Sequence, residues 1–150
     1  MRALSLTETV EHCTPMFHPE QQELLCGRKT LSFGRELPAL IVRLARVMRE
    51  VGYGDADELA VGVALEKAAT VALAAGSARA RVSWAVSPTA VTAVVEEEQS
   101  EVEPAAAGEP QLRDRLEGSS GGGFATIRGC MSWVCFPHRN CIAMRRNRTA

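Results

Sequence analysis

The stretch Leu59-Ala-Val-Gly-Val-Ala-Leu65 lies in the middle of a segment that runs from Asp55 to Ala75 and ends at Gly76-Ser77. The segment begins with acidic residues, which the helix macrodipole favours near an N-terminus. Its middle is apolar on nearly all sides and is built largely from small residues. We therefore predict a central helix that packs closely against a sheet.

The residues before this segment predict a strand and a second helix. The strand is short and extends over Lys29–Phe33. The helix carries one apolar stripe at the i, i+1, i+4, i+7, i+8 spacing, formed by Leu40, Ile41, Leu44, Val47 and Met48. Pro38 suits the first turn of this helix, and Gly52 is typical of its end.

After the central segment the apolar period changes from helical to two. The pattern predicts a hairpin of strands 81–86 and 90–96 around Ser87-Pro88-Thr89. Residues 100–120 are rich in Glu, Ala, Pro, Gly and Ser, so we expect a long loop there. A glycine-rich start then leads into a short helix that extends to about Met131. The last predicted elements are the strands Trp133–Phe136 and Cys141–Arg146.

These elements predict an α+β fold: a two-layer sandwich with a mostly antiparallel sheet and the helices on one face. The 150 residues suit one domain, which we place at 29–147. Residues 1–28 are interpreted as a weakly structured leader with a short helix around Glu20–Leu25.

The bulk composition excludes several classes of function. A net charge of -1 gives no reason to expect nucleic acid as a partner. No apolar run approaches the roughly 20 residues that span a bilayer, and the first ten residues lack the order of a secretory signal. We expect a cytoplasmic protein, with no membrane partner, whose five cysteines are free thiols.

The order of elements resembles the ATP-binding domain of the GHKL (histidine-kinase-like) superfamily, and particularly its anti-sigma serine-kinase branch. Three stretches carry the resemblance: Ala64–Ser77 for the helix with the catalytic Glu and the Mg²⁺-binding Asn, Ser120–Phe124 for the second glycine box, and Trp133–Arg146 for the closing hairpin. The resemblance implies the Bergerat-type ATP-binding fold. It also implies domains that dimerise and bind a sigma factor or an anti-sigma antagonist.

The chain departs from that family at the positions that matter for catalysis. Lys67 aligns with the catalytic Glu, and Val71 aligns with the Asn that holds Mg²⁺. A Lys ammonium cannot accept a proton, and Val71 offers no ligand to a hard cation. A register shifted by one residue would instead use Glu66 as the acid and Thr70 as the metal ligand.

The nucleotide-binding motifs are also incomplete. Glu97 is the candidate for the strand-end acid that recognises adenine, but no glycine follows it in Val94–Gln99. Gly121, Gly122 and Gly123 retain the ability to offer backbone N–H groups to a phosphate of ATP.

We therefore expect a degenerate anti-sigma-like protein that works by partner binding without kinase activity. Two alternatives stay open. One is an active ATP-dependent serine/threonine kinase of the anti-sigma type. The other is a small zinc-binding or thiol module that uses Cys130, Cys135, His138 and Cys141.

Overall fold

The computed structural model of the chain describes residues 9–13, 24–74, 79–98, 111–118 and 122–149. The strands are β1 (Thr9–Cys13), β2 (Leu24–Leu31), β3 (Ala80–Val86), β4 (Ala90–Glu97), β5 (Trp133–His138) and β6 (Cys141–Asn147). The helices are α1 (Leu37–Val51), α2 (Asp55–Leu73), α3 (Leu112–Gly118) and α4 (Gly123–Cys130), and a single 3-10 turn (Gly34–Glu36) precedes α1.

The strands of the described residues form one six-stranded sheet in the order β1-β2-β3-β4-β6-β5. Every neighbouring pair is antiparallel. The helices pack on one face of this sheet, which makes the fold α+β with two layers, as the sequence predicted.

The alternation of side chains along β3 shows which face the helices cover. Ala80, Val82, Trp84 and Val86 are buried under the helices, whereas the residues between them are only half-buried on the other face. Trp84 lies opposite Gly27 of β2, and a Cβ atom at Gly27 would come within 2.3 Å of the indole. Glycine is therefore required there, because any side chain would displace the tryptophan.

Helices α1 and α2 form as their patterns predicted. The buried residues of α1 include Leu40, Leu44, Val47 and Met48, and Gly52 caps its C-terminus with a left-handed φ of 112°. Helix α2 crosses close to α1, since a Cβ atom at Gly62 would lie 3.2 Å from Ile41 Cγ2. The small residues of α2 thus allow the close packing that the sequence indicated.

The β3–β4 hairpin, α4 and the β5–β6 hairpin are also confirmed, each within two residues of its predicted bounds. The N-terminal part differs. Strand β2 begins at Leu24, before the predicted strand, and spans the position at which the leader was expected to end. Leu24 and Leu25 belong to this strand, where Leu25 pairs with Val86, so the helix predicted around Glu20–Leu25 is wrong at its last two residues. The rest of that helix lies outside the described residues.

The predicted long loop at 100–120 is wrong in its second half. Leu112–Gly118 forms α3, because Leu112 and Leu116 lie one turn apart and both are fully buried. Residues 99–110 and 119–121 lie outside the described part of the chain.

Across the described ranges, none of the helices combines the length and the apolar character that crossing a bilayer requires.

Candidate functional site

The candidate site lies at the end of β4, where two adjacent glutamates face opposite sides of the sheet. Glu97 pairs with Ala80 in the ladder and is buried on the helix-covered face. Glu96 pairs with Arg81 and Cys141 and lies on the uncovered face. Since side chains alternate along a strand, one element carries both groups.

Glu97 is paired with Arg115 of α3. Its Oε2 accepts a hydrogen bond from Arg115 Nη2, and its side chain is only 5 % exposed. Arg115 Nη1 also donates to the carbonyl of Val71, at 3.0 Å. Burial lowers the pKa of the Arg115 guanidinium, but the group stays charged because an arginine pKa lies far above neutral pH. The carboxylate that the resemblance assigns to adenine is therefore already engaged by protein.

Helix α3 and the β5–β6 turn hold this pair in place. Leu112 and Leu116 anchor α3 in the core. The backbone N–H of Leu112 donates to the carbonyl of Arg139 at 2.9 Å, and that of Glu97 donates to the carbonyl of Asn140 at 2.8 Å. The end of β4, the start of α3 and the closing hairpin thus form one connected unit.

The two candidate registers along α2 lie in different surroundings. Lys67 is half-buried, and Val71 packs against the core beside the Arg115–Glu97 pair. Glu66 and Thr70 are exposed and line a groove between α1 and α2. Glu97 does not line that groove, so the acid and the metal ligand of the shifted register are not gathered with the strand-end acid.

Two of the three candidate phosphate-binding glycines are described. Gly122 has a left-handed φ of 67° and is the N-cap of α4, and its carbonyl accepts the N–H of Thr126 at 2.9 Å. Gly123 is buried in the first turn. Gly121 lies outside the described residues. The glycines therefore provide the turn that starts α4.

The α1–α2 groove carries exposed apolar side chains. Val42 is 59 % exposed and Leu59 is 70 % exposed, and both line it together with Leu37, Pro38, Ile41, Ala45 and Val63. Three acidic residues, Asp55, Glu58 and Glu66, also line the groove. Glu58 is paired with Arg49 at 2.7 Å, and Asp55 is also close enough to interact with the charge of Arg49. The three acidic residues outnumber this one arginine, so the groove stays acidic.

On the uncovered face, Glu96 meets His138 and Cys141. One ligand atom from each residue lies within 4.8 Å of the other two, and His138 Nε2 is 3.4 Å from Glu96 Oε2. Cys141 is buried, and this burial, together with the nearby Glu96 and Cys135, raises the pKa of its thiol to about 11. The three groups are a thiol, an imidazole and a carboxylate within reach of one ion.

The cysteine–histidine set suggested by the sequence is only partly assembled. Cys141 and His138 come together, and Cys135 lies on the same sheet face, opposite Ala143. Cys130 belongs to α4 and packs against the core, where its carbonyl accepts a hydrogen bond from Arg146 Nη1 at 2.6 Å. Cys130 therefore lies on the helix-covered side of the sheet, whereas the other three lie at its uncovered face.

Sequence reasoning missed Arg115 and Glu96. The role of Arg115 was not predicted because residues 100–120 were interpreted as a loop. Leu112 and Leu116 nevertheless have the i, i+4 spacing of a short helix. Glu96 is separated by more than 30 residues from the C-terminal cysteines and His138, so no local spacing links it to them. Its contact with Cys141 depends on the pairing of β4 with β6, two strands that are separated in the chain by α3, α4 and β5.

Comparison with known proteins gives no family for this chain. No protein-family model matches it, and no curated protein matches it.

Proposed function

We propose that the chain is a regulatory domain, like a degenerate anti-sigma factor, that acts by binding another protein and does not transfer phosphate. The observed order contains the strand, two helices, hairpin, helix and closing hairpin on which the resemblance to GHKL domains depends, with β1 and α3 in addition. That order supports a Bergerat-type fold. The side chains at the expected catalytic positions support the loss of catalysis.

The observation that carries the proposal is the Arg115–Glu97 pair. A nucleotide that used Glu97 would have to remove Arg115 from both the carboxylate and the Val71 carbonyl. Leaving a buried charge without its partner costs about 3–5 kcal/mol, and a nucleotide that contacts Glu97 would have to offset that cost with its own contacts. Lys67 and Val71 offer neither a base nor a Mg²⁺ ligand in return.

The α1–α2 groove is the surface that best fits a protein partner. Large exposed apolar residues grouped along a groove mark interaction sites. A groove lined by apolar side chains of two neighbouring helices can bind the apolar face of a third helix. The acids on the groove determine the partner's charge. We assign the groove to an amphipathic helix of a sigma factor or antagonist, whose apolar stripe carries basic residues at its edges.

The first experiment tests nucleotide binding to the purified full chain. We expect calorimetric titration with ATP and ADP at millimolar concentration, with and without Mg²⁺, to give no saturable heat. Mg²⁺-dependent binding, or phosphorylation of an antagonist that is lost in Glu66→Ala, would establish the kinase instead.

The second experiment tests the groove against purified sigma factors and antagonists of the source organism. Leu59→Asp places a like charge among the groove acids and should weaken partner binding by about 30-fold or more, the size of a lost hot spot. Ala125→Asp, on the exposed face of α4 outside the groove, is the matched control and should bind as the unmodified chain does.

Two outcomes would contradict this assignment. Equal partner affinity of Leu59→Asp and the unmodified chain would place the partner on another surface. A dimer in sedimentation equilibrium that Leu59→Asp converts to a monomer would show that the groove holds a second copy of the chain.

A further inference from the structure

We propose that Glu96, His138 and Cys141 form a zinc-binding site on the uncovered face of the sheet. The site is independent of the proposed partner binding, because it lies on the face opposite the helices. The site suits a divalent, thiophilic cation that is bound by three protein ligands.

The backbone register places the three residues side by side. Glu96 of β4 is the direct partner of Cys141 of β6, and Cys141 is the direct partner of His138 of β5. Their ligand atoms already lie within 4.8 Å of one another. A tetrahedral zinc ion with bonds of about 2.0–2.3 Å separates its ligands by roughly 3.3–3.8 Å, so small side-chain rotations suffice to bind it.

The set of donor atoms selects the metal. A thiolate disfavours Mg²⁺ and Ca²⁺, which prefer oxygen ligands, whereas a mixture of sulfur, nitrogen and oxygen donors suits Zn²⁺. When the ion binds, the Cys141 thiol releases its proton to solvent, and the thiolate and the Glu96 carboxylate together balance the two positive charges. The side chain of His138 is 57 % exposed, so the fourth position is open to a water molecule.

Arg81 lies beside the site, and its contacts are compatible with metal binding. Arg81 Nη1 contacts Oε1 of Glu96 at 3.3 Å, while its Nη2 contacts Glu98 at 3.3 Å. The oxygen that faces His138 is the other one, Oε2. Arg81 therefore orients the carboxylate with Oε2 toward the imidazole, which is how an outer partner supports a metal ligand.

A bound ion would connect three strands at the end of the sheet where α3 begins. The turn between His138 and Cys141 includes Arg139, whose carbonyl receives the first N–H of α3. Because the ion binds the folded arrangement of ligands, it should stabilise the folded chain by an amount that rises with the logarithm of the free zinc concentration once that exceeds the dissociation constant.

The test uses the full chain, stripped with a chelator and titrated with Zn²⁺ in competition with a chromophoric chelator. We expect one ion per chain and a higher melting temperature with zinc. Co²⁺ should give a thiolate-to-metal charge-transfer band. Losing an outer-shell partner alone costs about 10–100-fold in metal affinity, so Cys141→Ser and His138→Gln should each weaken binding by roughly 100-fold or more.

Cys130→Ser is the matched control, since it removes a thiol that lies across the sheet from the site, and it should bind zinc normally. His138→Gln keeps the test decisive if Cys141→Ser fails to fold, because His138 is exposed and its replacement leaves the core intact. Absence of zinc binding at micromolar concentration overturns the proposal. The proposal is also overturned if His138→Gln binds zinc with unchanged affinity, or if Cys130→Ser loses the cobalt charge-transfer band.

Discussion

Glu96 and Glu97 are neighbours in the same strand, yet they occupy opposite kinds of surroundings. Glu97 is enclosed by α3 and neutralised by Arg115, with a side chain 5 % exposed. Glu96 faces solvent with a side chain 33 % exposed and meets Arg81, His138 and Cys141. The pleat of the strand alone directs one carboxylate into the core and the other onto an open face.

At this strand end, the surroundings of a glutamate and not its residue type determine whether it is structural or available to a ligand. A carboxylate enclosed with its arginine has a structural function, because its charge is satisfied and unavailable to a ligand. A carboxylate beside an imidazole and a thiol keeps an oxygen free for a cation. Three experiments test this difference, in order of decreasing effect on stability.

The largest effect is expected from Arg115→Met. It leaves the Glu97 carboxylate buried without its partner, so the free energy of unfolding should fall by about 3 kcal/mol. The double variant Glu97→Met/Arg115→Met removes both charges and should recover to within about 1 kcal/mol of the unmodified chain. Urea denaturation monitored by circular dichroism measures all three proteins.

Arg113→Met is the control on the same helix. Arg113 pairs with Glu117 at the surface, where their side chains are 56 % and 45 % exposed. Its guanidinium also lies 5.8 Å from the Phe124 ring and 5.7 Å from the Phe136 ring, so its loss should cost about 1–2 kcal/mol, less than the loss of Arg115. Equal destabilisation by Arg113→Met and Arg115→Met would show that α3 itself, and not the enclosed pair, determines the loss.

Asp57 extends the comparison to a second enclosed carboxylate. It is 2 % exposed, and its oxygens accept hydrogen bonds from Arg146 Nε at 2.7 Å and from the backbone N–H of Thr149 at 3.0 Å. Burial by itself would raise its pKa, but the hydrogen bonds from Thr149 and Arg146 outweigh burial and lower it. Asp57→Asn should cost about 2 kcal/mol at pH 7.

The pH dependence follows from the direction of that shift. A carboxyl whose pKa is lower in the folded state stabilises the fold above its unfolded pKa of about 3.9, and this stability is lost as pH falls through the folded pKa. The gap in unfolding free energy between the unmodified chain and Asp57→Asn should therefore narrow below about pH 4. A gap that is constant from pH 7 to acid would contradict this account. The exposed Asp55→Asn serves as the control.

The smallest effect is expected from Glu96→Gln in the presence of a chelator. Partly exposed ion pairs contribute about 0–1 kcal/mol, so the free energy of unfolding should change by less than about 1 kcal/mol. The same variant should lose the stabilisation that added zinc gives to the unmodified chain. If Glu96→Gln without metal lowers the free energy of unfolding as much as Arg115→Met does, then Glu96 contributes to stability as much as the Arg115–Glu97 pair.

The sequence predicted most of the fold where periodicity extended over a whole element. The stripe from Leu40 to Met48 determined α1, and the alternation from Arg81 to Val86 determined β3. It failed at β1, which lies in the stretch interpreted as a weakly structured leader, at α3 and at the start of β2. Helix α3 has only two apolar anchors, Leu112 and Leu116, and β2 depends on its pairing with β1 and β3.

The candidate site was harder to predict, because its partners are far apart in the chain. Arg115 and Glu97 are 18 residues apart, and Arg115 also contacts Val71, which is 44 residues away. Cys130 and Cys135 are close in sequence, yet they end on different sides of the sheet. Sequence spacing measures distance along the chain, whereas a site depends on distance through space.

By itself the sequence determined most of the order of elements and the antiparallel sheet with its helices. Those properties depend on residue type and local period, which a single chain displays directly. Only the tertiary structure decided that Arg115 encloses Glu97 and that Glu96 joins His138 and Cys141. Both results require strands and helices to be packed first, because the groups involved meet only across neighbouring elements.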